Sequence, residues 1–288
     1  MAKSCGKEVS PPTMSPITDK KVLRSQLAAH QHRPRRSAGQ NFLVCAKPVT
    51  KTVEALPKGL STVVELGAGA GALTEALLEQ GHQVVAIERD STLVTILNER
   101  LLDQHREQLT IVADDLRHTP WEQPAPYGLV GNIPYNLSGL IFRRLPKLHP
   151  QPEQVILLVQ REVGQRLLAA PPAMSLLSVA VQLWGMPTRL QSVPAGCFWP
   201  QPDVDSVLVA ITPHAHQLDR DTYQSVINVA RTGFGTKRKQ LGGSLRRGLG
   251  LAEAEIITQL EAVGLAPAQR PEVLSIEQST SLATSLTK

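Results

Sequence analysis

The chain has 288 residues, 42% of them hydrophobic, enough for one sizeable domain and a smaller second one. No run approaches the roughly 20 apolar residues needed to cross a bilayer, and no apolar signal region opens the sequence, so a cytoplasmic protein with no membrane partner is expected. Three cysteines (Cys5, Cys45 and Cys197), odd in number and far apart, argue against a disulfide framework; with eight histidines that show no ligand-like pairing, they also leave no candidate metal site.

Residues 1–36 are polar and proline-containing and read as a basic, disordered extension, with at best a short helix over 21–30. From Gln40 onward strands and helices alternate. Residues 61–66 form a short apolar strand, 73–80 a helix, 83–87 a strand, 93–102 a helix and 109–113 a third strand. Residues 129–131 and 154–159 read as two further buried strands. This rhythm predicts an α/β fold with a parallel, doubly wound sheet. Residues 188–193 and 207–212 are rich in β-branched types and are expected to pair at one sheet edge. After a polar linker, helices are expected at 223–232, 253–263 and 276–286, which makes residues 214–288 a small all-α domain and 37–213 the α/β domain.

The net charge of +5 is weak evidence for an acidic partner, but its distribution is more informative. His32-Arg33-Pro34-Arg35-Arg36 forms one basic cluster, with Arg35 and Arg36 its candidate contacts; Arg231, Lys237, Arg238, Lys239, Arg246 and Arg247 form another. Each can be ordinary solvated surface, yet both flank candidate catalytic segments and are candidate contacts to a phosphate backbone.

Glu65-Leu66-Gly67-Ala68-Gly69-Ala70-Gly71 follows the first strand and opens a helix. Glycines there allow close backbone approach to a ligand beside a helix N-terminus. The spacing also satisfies the dinucleotide fingerprint, so the loop alone does not separate NAD from S-adenosylmethionine. Glu88 ends the second strand, where it can accept ribose hydroxyls. Asp114 and Asp115 end the third. Glu65 suits a cofactor with cationic groups better than a pyrophosphate, and an acid at three successive strand ends favours S-adenosylmethionine.

Gly131-Asn132-Ile133-Pro134-Tyr135 follows the fourth strand and falls on the same rim. Alone it is ordinary turn chemistry. After three acid-tipped strands it reads as a site for activating an aromatic exocyclic amine. The Asn132 amide oxygen and the Ile133 carbonyl each accept one N–H and free the nitrogen lone pair. Pro134 stiffens the loop and Tyr135 stacks on the base. An adenine entering such a pocket must leave its stack.

With these residues in place the chain resembles the ribosomal RNA adenine-N6 methyltransferases, which comprise the KsgA-type dimethyltransferases and the Erm resistance enzymes. Ser37-Ala38-Gly39-Gln40-Asn41-Phe42-Leu43 is similar to the family's G-Q-N-F-L entry motif. The resemblance implies a Rossmann-like class I methyltransferase sheet and S-adenosyl-L-methionine as cofactor. It places Gln40, Asn41, Leu43, Glu65, Gly67, Gly69, Glu88, Asp115 and Asn132 at the cofactor. Residues 195–206 resemble the F-x-P-x-P-x-V-x-S segment and imply Phe198 as a second stacking residue beside Tyr135. Residues 234–241 and 270–278 resemble the KsgA group, whereas residues 170–178 look shortened against its usual loop. The implied activity is dimethylation of adenines, two of them adjacent, in 16S-type ribosomal RNA of a small-subunit precursor by a monomer. Three alternatives stay open: an Erm-like enzyme acting on 23S ribosomal RNA, a non-catalytic assembly or transcription factor on the same fold, and an NAD dehydrogenase.

Overall fold

A computed structural model describes residues 16–35, 39–235 and 240–286. In chain order the elements are α1 (Lys20–Ala29), β1 (Phe42–Leu43), α2 (Ala46–Glu54), β2 (Thr62–Leu66), α3 (Ala72–Glu79), β3 (Gln83–Glu88), α4 (Ser91–Leu97), β4 (Leu109–Ala113), β5 (Tyr127–Asn132), α5 (Ser138–Arg144) and β6 (Gln154–Gln160). They continue with α6 (Arg161–Leu167), α7 (Leu176–Gln182), β7 (Gly185–Val193), β8 (Phe198–Trp199) and β9 (Ser206–Pro213). Helices α8 (Arg220–Phe234), α9 (Leu241–Leu249), α10 (Glu253–Ala262) and α11 (Ile276–Leu286) complete the chain. Among the described residues, no helix is long and apolar enough to cross a membrane.

Seven strands form one sheet in the order β4-β3-β2-β5-β6-β9-β7. The five from β4 to β6 are parallel, with β2 pairing β3 on one side and β5 on the other. Near-continuous apolar burial in β5 and β6 is what a parallel sheet covered on both faces requires. The helix expected over 93–102 ends as α-helix at Leu97 and continues as a π-helical turn, Asn98–Leu102.

Two compact units are present. One holds the described residues up to Leu140 with Leu148–Arg161 and Arg189–Ala210; the other holds Ile141–Lys147, Glu162–Thr188 and the described residues from Ile211 onward. The helical unit therefore also draws in segments that precede residue 214. Met174, Val179 and Leu183 share its core with Val226, Leu245, Leu260 and Leu282. Helix α9 carries three glycines that disfavour a helix in isolation. At Gly248 a Cβ would overlap the Thr232 side chain, so the glycine lets α9 lie close on α8.

Two expectations change. Of the extension read as disordered with at best a short helix over 21–30, the helix is present at Lys20–Ala29, capped by the Asp19 carboxylate, and the segment is anchored rather than disordered, burying Ile17, Leu23 and Leu27 against Phe42, Leu93 and Ile96. Residues 1–15 lie outside the described residues. The cysteines expected to be unpaired include a disulfide, Cys45–Cys197, with Cα atoms 5.1 Å apart. Antiparallel pairing of β1 with β8 (Phe42↔Trp199, Leu43↔Phe198) brings these distant residues face to face, a non-local event invisible to spacing arithmetic.

The first strand of the sheet, β2, has β3 on one side and β5 on the other, so the chain reverses its winding at the β2/β5 seam. Ligands of open α/β sheets bind at such switch points, beyond the strands' carboxyl ends. Here the seam is tight. A Cβ at Gly131 would stand 2.7 Å from the Leu66 carbonyl oxygen and 3.1 Å from Leu66 Cβ. Backbone cannot yield as a flexible side chain does, so Gly131→Ala is expected to lower unfolding free energy by about 1–3 kcal/mol. Urea denaturation of the two proteins measures this; equal stability would show that the seam has slack.

Candidate active site

The turn from β2 into α3 uses three glycines with positive φ, Gly67, Gly69 and Gly71 (+76°, +59° and +88°). Side chains rarely adopt these angles. Gly67 and Ala68 both donate to the Ile87 carbonyl, 2.9 and 3.1 Å, which ties the loop to β3. From the π-helical turn, Arg100 donates to the Ala70 carbonyl and pairs with Glu75 at 2.8 Å. Arg100 does not stand out in the sequence, because a cation on a helix gives no local sign of the loop it reaches.

The loop borders a cavity of about 280 Å³, near the lower end of the roughly 300–1,000 Å³ of small-molecule sites. Its wall brings together Gln40, Asn41, Leu43, Glu65, Gly67, Gly69, Glu88, Asp115, Asn132, Ile133, Pro134 and Tyr135. Each is a candidate site residue from sequence.

The acids differ in state. Glu88 accepts the Gly69 N–H on Oε2 and the Asp90 N–H on Oε1, both at 2.8 Å. Each oxygen keeps further acceptor capacity for a hydroxyl. Burial pushes the Glu88 carboxyl above its ordinary range, and these hydrogen bonds pull it partly back. Of the neighbouring aspartates, Asp115 lines the cavity, while Asp114 is turned onto the Thr119 hydroxyl at 2.6 Å. Desolvation opposes ionisation of Asp115, but the Arg117 N–H and the Arg89 and Arg117 cations outweigh it and hold its carboxyl below the usual range.

Asp90 is absent from the sequence-derived candidates, although Asp-Ser at a helix start is a capping signal. It caps α4 and accepts Gln40 Nε2 at 3.1 Å. Gln40 Oε1 in turn accepts the Arg35 N–H at 2.8 Å. Both ends of the Gln40 amide are thus engaged in holding the entry loop. His32, in a segment that reads as a polar loop, is buried, edge-on to Phe42 and 3.7 Å from Asp90.

Asn132 ends β5. Its Nδ2 donates to the Asn41 backbone carbonyl at 2.9 Å, which leaves Oδ1 to accept from an incoming donor. Pro134 is pressed by the entry loop: a Cβ on Gly39 would lie 3.2 Å from Pro134 Cβ. Tyr135 is half-buried, and its hydroxyl shares a 2.8 Å hydrogen bond with Ser206. Burial raises the phenol above its usual range, so it stays neutral.

Phe198 is not brought to this cavity. It is 2% exposed and packs with Leu43, Leu208 and Ala210 in the core. Of the basic candidates, Arg35 lines the cavity, while Arg231, Arg246 and Arg247 are exposed on α8 and α9, with Arg246 paired to Glu253 at 2.6 Å. Arg36, Lys237, Arg238 and Lys239 lie outside the described residues. Among the described residues, no group of three or more His, Cys, Asp or Glu is placed to hold a metal ion.

Glu65 lies beneath the loop, 2% exposed, with the Thr74 hydroxyl donating to it at 2.6 Å. Burial, reinforced by the charge of Glu88, pushes its carboxyl up to about 8 against the hydrogen bond from Thr74. The folded pKa exceeds the unfolded one. Stability from this group is therefore full below about pH 4.5 and falls as pH rises toward about 8. Glu65→Gln should remove that slope, which amounts at most to something on the order of 5 kcal/mol. Denaturant titrations at a series of pH values test it, and a variant with the wild-type pH slope would place the proton elsewhere.

A family model described as "Ribosomal RNA adenine dimethylase" matches residues 31–288. The chain is 35% identical over 260 residues to the "Ribosomal RNA small subunit methyltransferase A" of Dehalococcoides mccartyi strain CBDB1, covering 88% of this chain and 89% of that protein. It is 36% identical over 269 residues to the protein of the same name from Opitutus terrae, covering 89% and 94%. The fold resembles the crystal structure of the 23S rRNA methyltransferase ErmE, with TM-score 0.69, 24% identity, and 86% and 100% coverage. It also resembles a dimethyladenosine transferase from Plasmodium falciparum, with TM-score 0.68, 23% identity, and 84% and 95% coverage. With the match running over nearly the whole length and through the glycine loop, the acids and the tetrapeptide, the chain belongs to the ribosomal RNA adenine dimethylase family.

Proposed function

We propose that this protein transfers methyl groups from S-adenosylmethionine to N6 of adenines, two of them adjacent, in the RNA of a small-ribosomal-subunit precursor. The observation that carries the reading is the Asn132 side chain: it lines the cavity that the glycine loop borders, and its anchoring through Nδ2 on the Asn41 carbonyl leaves Oδ1 to accept. The small-subunit target rests on relatives that bear that name and align over most of their length.

The cavity suits such a cofactor. Positive-φ glycines leave the backbone bare on one side, and Glu88 offers a carboxylate for ribose hydroxyls. Asp115 stands at the end of β4, where it can accept an adenine amine. When bound, the cofactor supplies an electrophilic methyl on a sulfonium. The chain's own residues prepare the nucleophile. Asn132 Oδ1 and the Ile133 carbonyl accept the two N–H groups of the target amine, whose lone pair is then no longer delocalised into the ring. The Tyr135 ring, steadied through Ser206, holds the base in line. Such a cofactor would give up its methyl and leave as the neutral thioether, and the displaced amine proton would pass to water, with the positioned acceptors Asn132 and Ile133 standing in for a strong base.

Asn132→Ala is expected to reduce kcat roughly 10²–10³-fold, the cost of losing one preorganised polar group in a transition-state site. The dissociation constant for S-adenosylhomocysteine should change far less. Single-turnover methylation of ribosomal RNA, paired with calorimetry, separates the two quantities. An active Asn132→Ala enzyme would remove the basis of the reading.

A further inference from the structure

Beside the cofactor cavity lies an open groove lined by Lys20, Lys21 and Arg24 of α1, by His32 and Arg33, and by Trp199 of β8. We propose that it is a docking surface for the phosphate backbone of the substrate RNA, an inference that rests on the RNA reading above.

Three observations carry it. Among the described residues, every ionisable side chain on the groove is basic and no acid lines it. The helix separates its roles cleanly: Leu23 and Leu27 are buried, whereas Lys20, Lys21 and Arg24, spaced on the other side, are exposed. The Arg24 guanidinium lies 5.7 Å from the centroid of the Trp199 ring, a cation stacked on an aromatic face.

The groove is also in the right place. Arg33 and Pro34 line it, and the next residue, Arg35, lines the cofactor cavity. Phe42, which pairs with Trp199, lines that cavity as well. An RNA strand whose adenine is turned into the cavity can therefore lay neighbouring phosphates along α1. The partner is a phosphodiester chain: bare cations with one aromatic ring, and no carboxylate for reading base edges, position a backbone without selecting a sequence.

The test is binding of an unmodified small-subunit ribosomal RNA transcript to the full chain over a salt series, wild type against K21Q/R24Q/R33Q. Each single-strand phosphate that a cation ceases to neutralise takes about 0.7 off the slope of log K against log salt. The triple variant should therefore bind about tenfold more weakly with a slope shallower by about 2, while calorimetry shows unchanged affinity for S-adenosylhomocysteine. Trp199 gives a second readout. The other two tryptophans, Trp121 and Trp184, are 0% and 1% exposed, so RNA should quench fluorescence in the wild type and lose that quench in W199F. An unchanged slope, or a quench that survives in W199F, would overturn the proposal while leaving methylation intact. Absence of both binding and methylation in the wild type would overturn the RNA reading itself. If the triple variant fails to bind S-adenosylhomocysteine, K21Q alone, with an expected slope change of about 0.7, decides.

Discussion

The closeness of β2 and β5 is the constraint on which the rest of the site depends. Gly131 can approach Leu66 only because it has no side chain, and that approach sets two loops from distant parts of the sequence side by side. The glycine turn leaves β2 at Gly67 and the tetrapeptide leaves β5 at Asn132. A Cβ on Gly67 would lie 3.7 Å from Pro134 Cδ and 4.0 Å from the Asn132 carbonyl oxygen. The loops proposed to hold the methyl donor and the target amine therefore share one rim.

Around that seam, hydrogen bonds connect the entry loop to both halves. Gln40 reaches Asp90, whose N–H donates to Glu88, and Glu88 accepts the Gly69 N–H. One residue on, the Asn41 carbonyl holds Asn132. The entry loop thus holds Glu88 and Asn132, the residues proposed to meet the cofactor and the target amine, together. In this structure Gln40 acts through its neighbours and Asn41 through its backbone. The opposed protonation tendencies of the acids fit the same plan. Asp115, flanked by two arginines, stays ionised, while burial holds Glu65 neutral under the loop.

The parallel core is legible in the sequence because each of its strands is a short apolar run ended by a chemically marked residue, as in 61–66 ending near Glu65 and 83–87 ending before Glu88. Helix α2 escapes such a reading because its N-cap, Cys45, makes no side-chain cap and Pro48 sits in its first turn. Helix α9 is hidden by glycines that only the packing of α8 explains. The Cys45–Cys197 bond, the burial of His32 and the reach of Arg100 all join residues far apart in the chain, where local pattern carries no signal. Phe198 shows the reverse problem. Its motif is readable, yet the antiparallel β1–β8 pair turns the ring into the core, and Trp199, the adjacent residue, is the one that reaches the groove.

The central claim is that this rim methylates an RNA adenine at N6. Mass-spectrometric mapping of ribosomal RNA incubated with the protein and isotopically labelled S-adenosylmethionine tests it most directly. Labelled N6,N6-dimethyladenosine confined to small-subunit RNA is the predicted result. Label on large-subunit RNA, at another atom of the base, or nowhere despite bound cofactor would contradict the account.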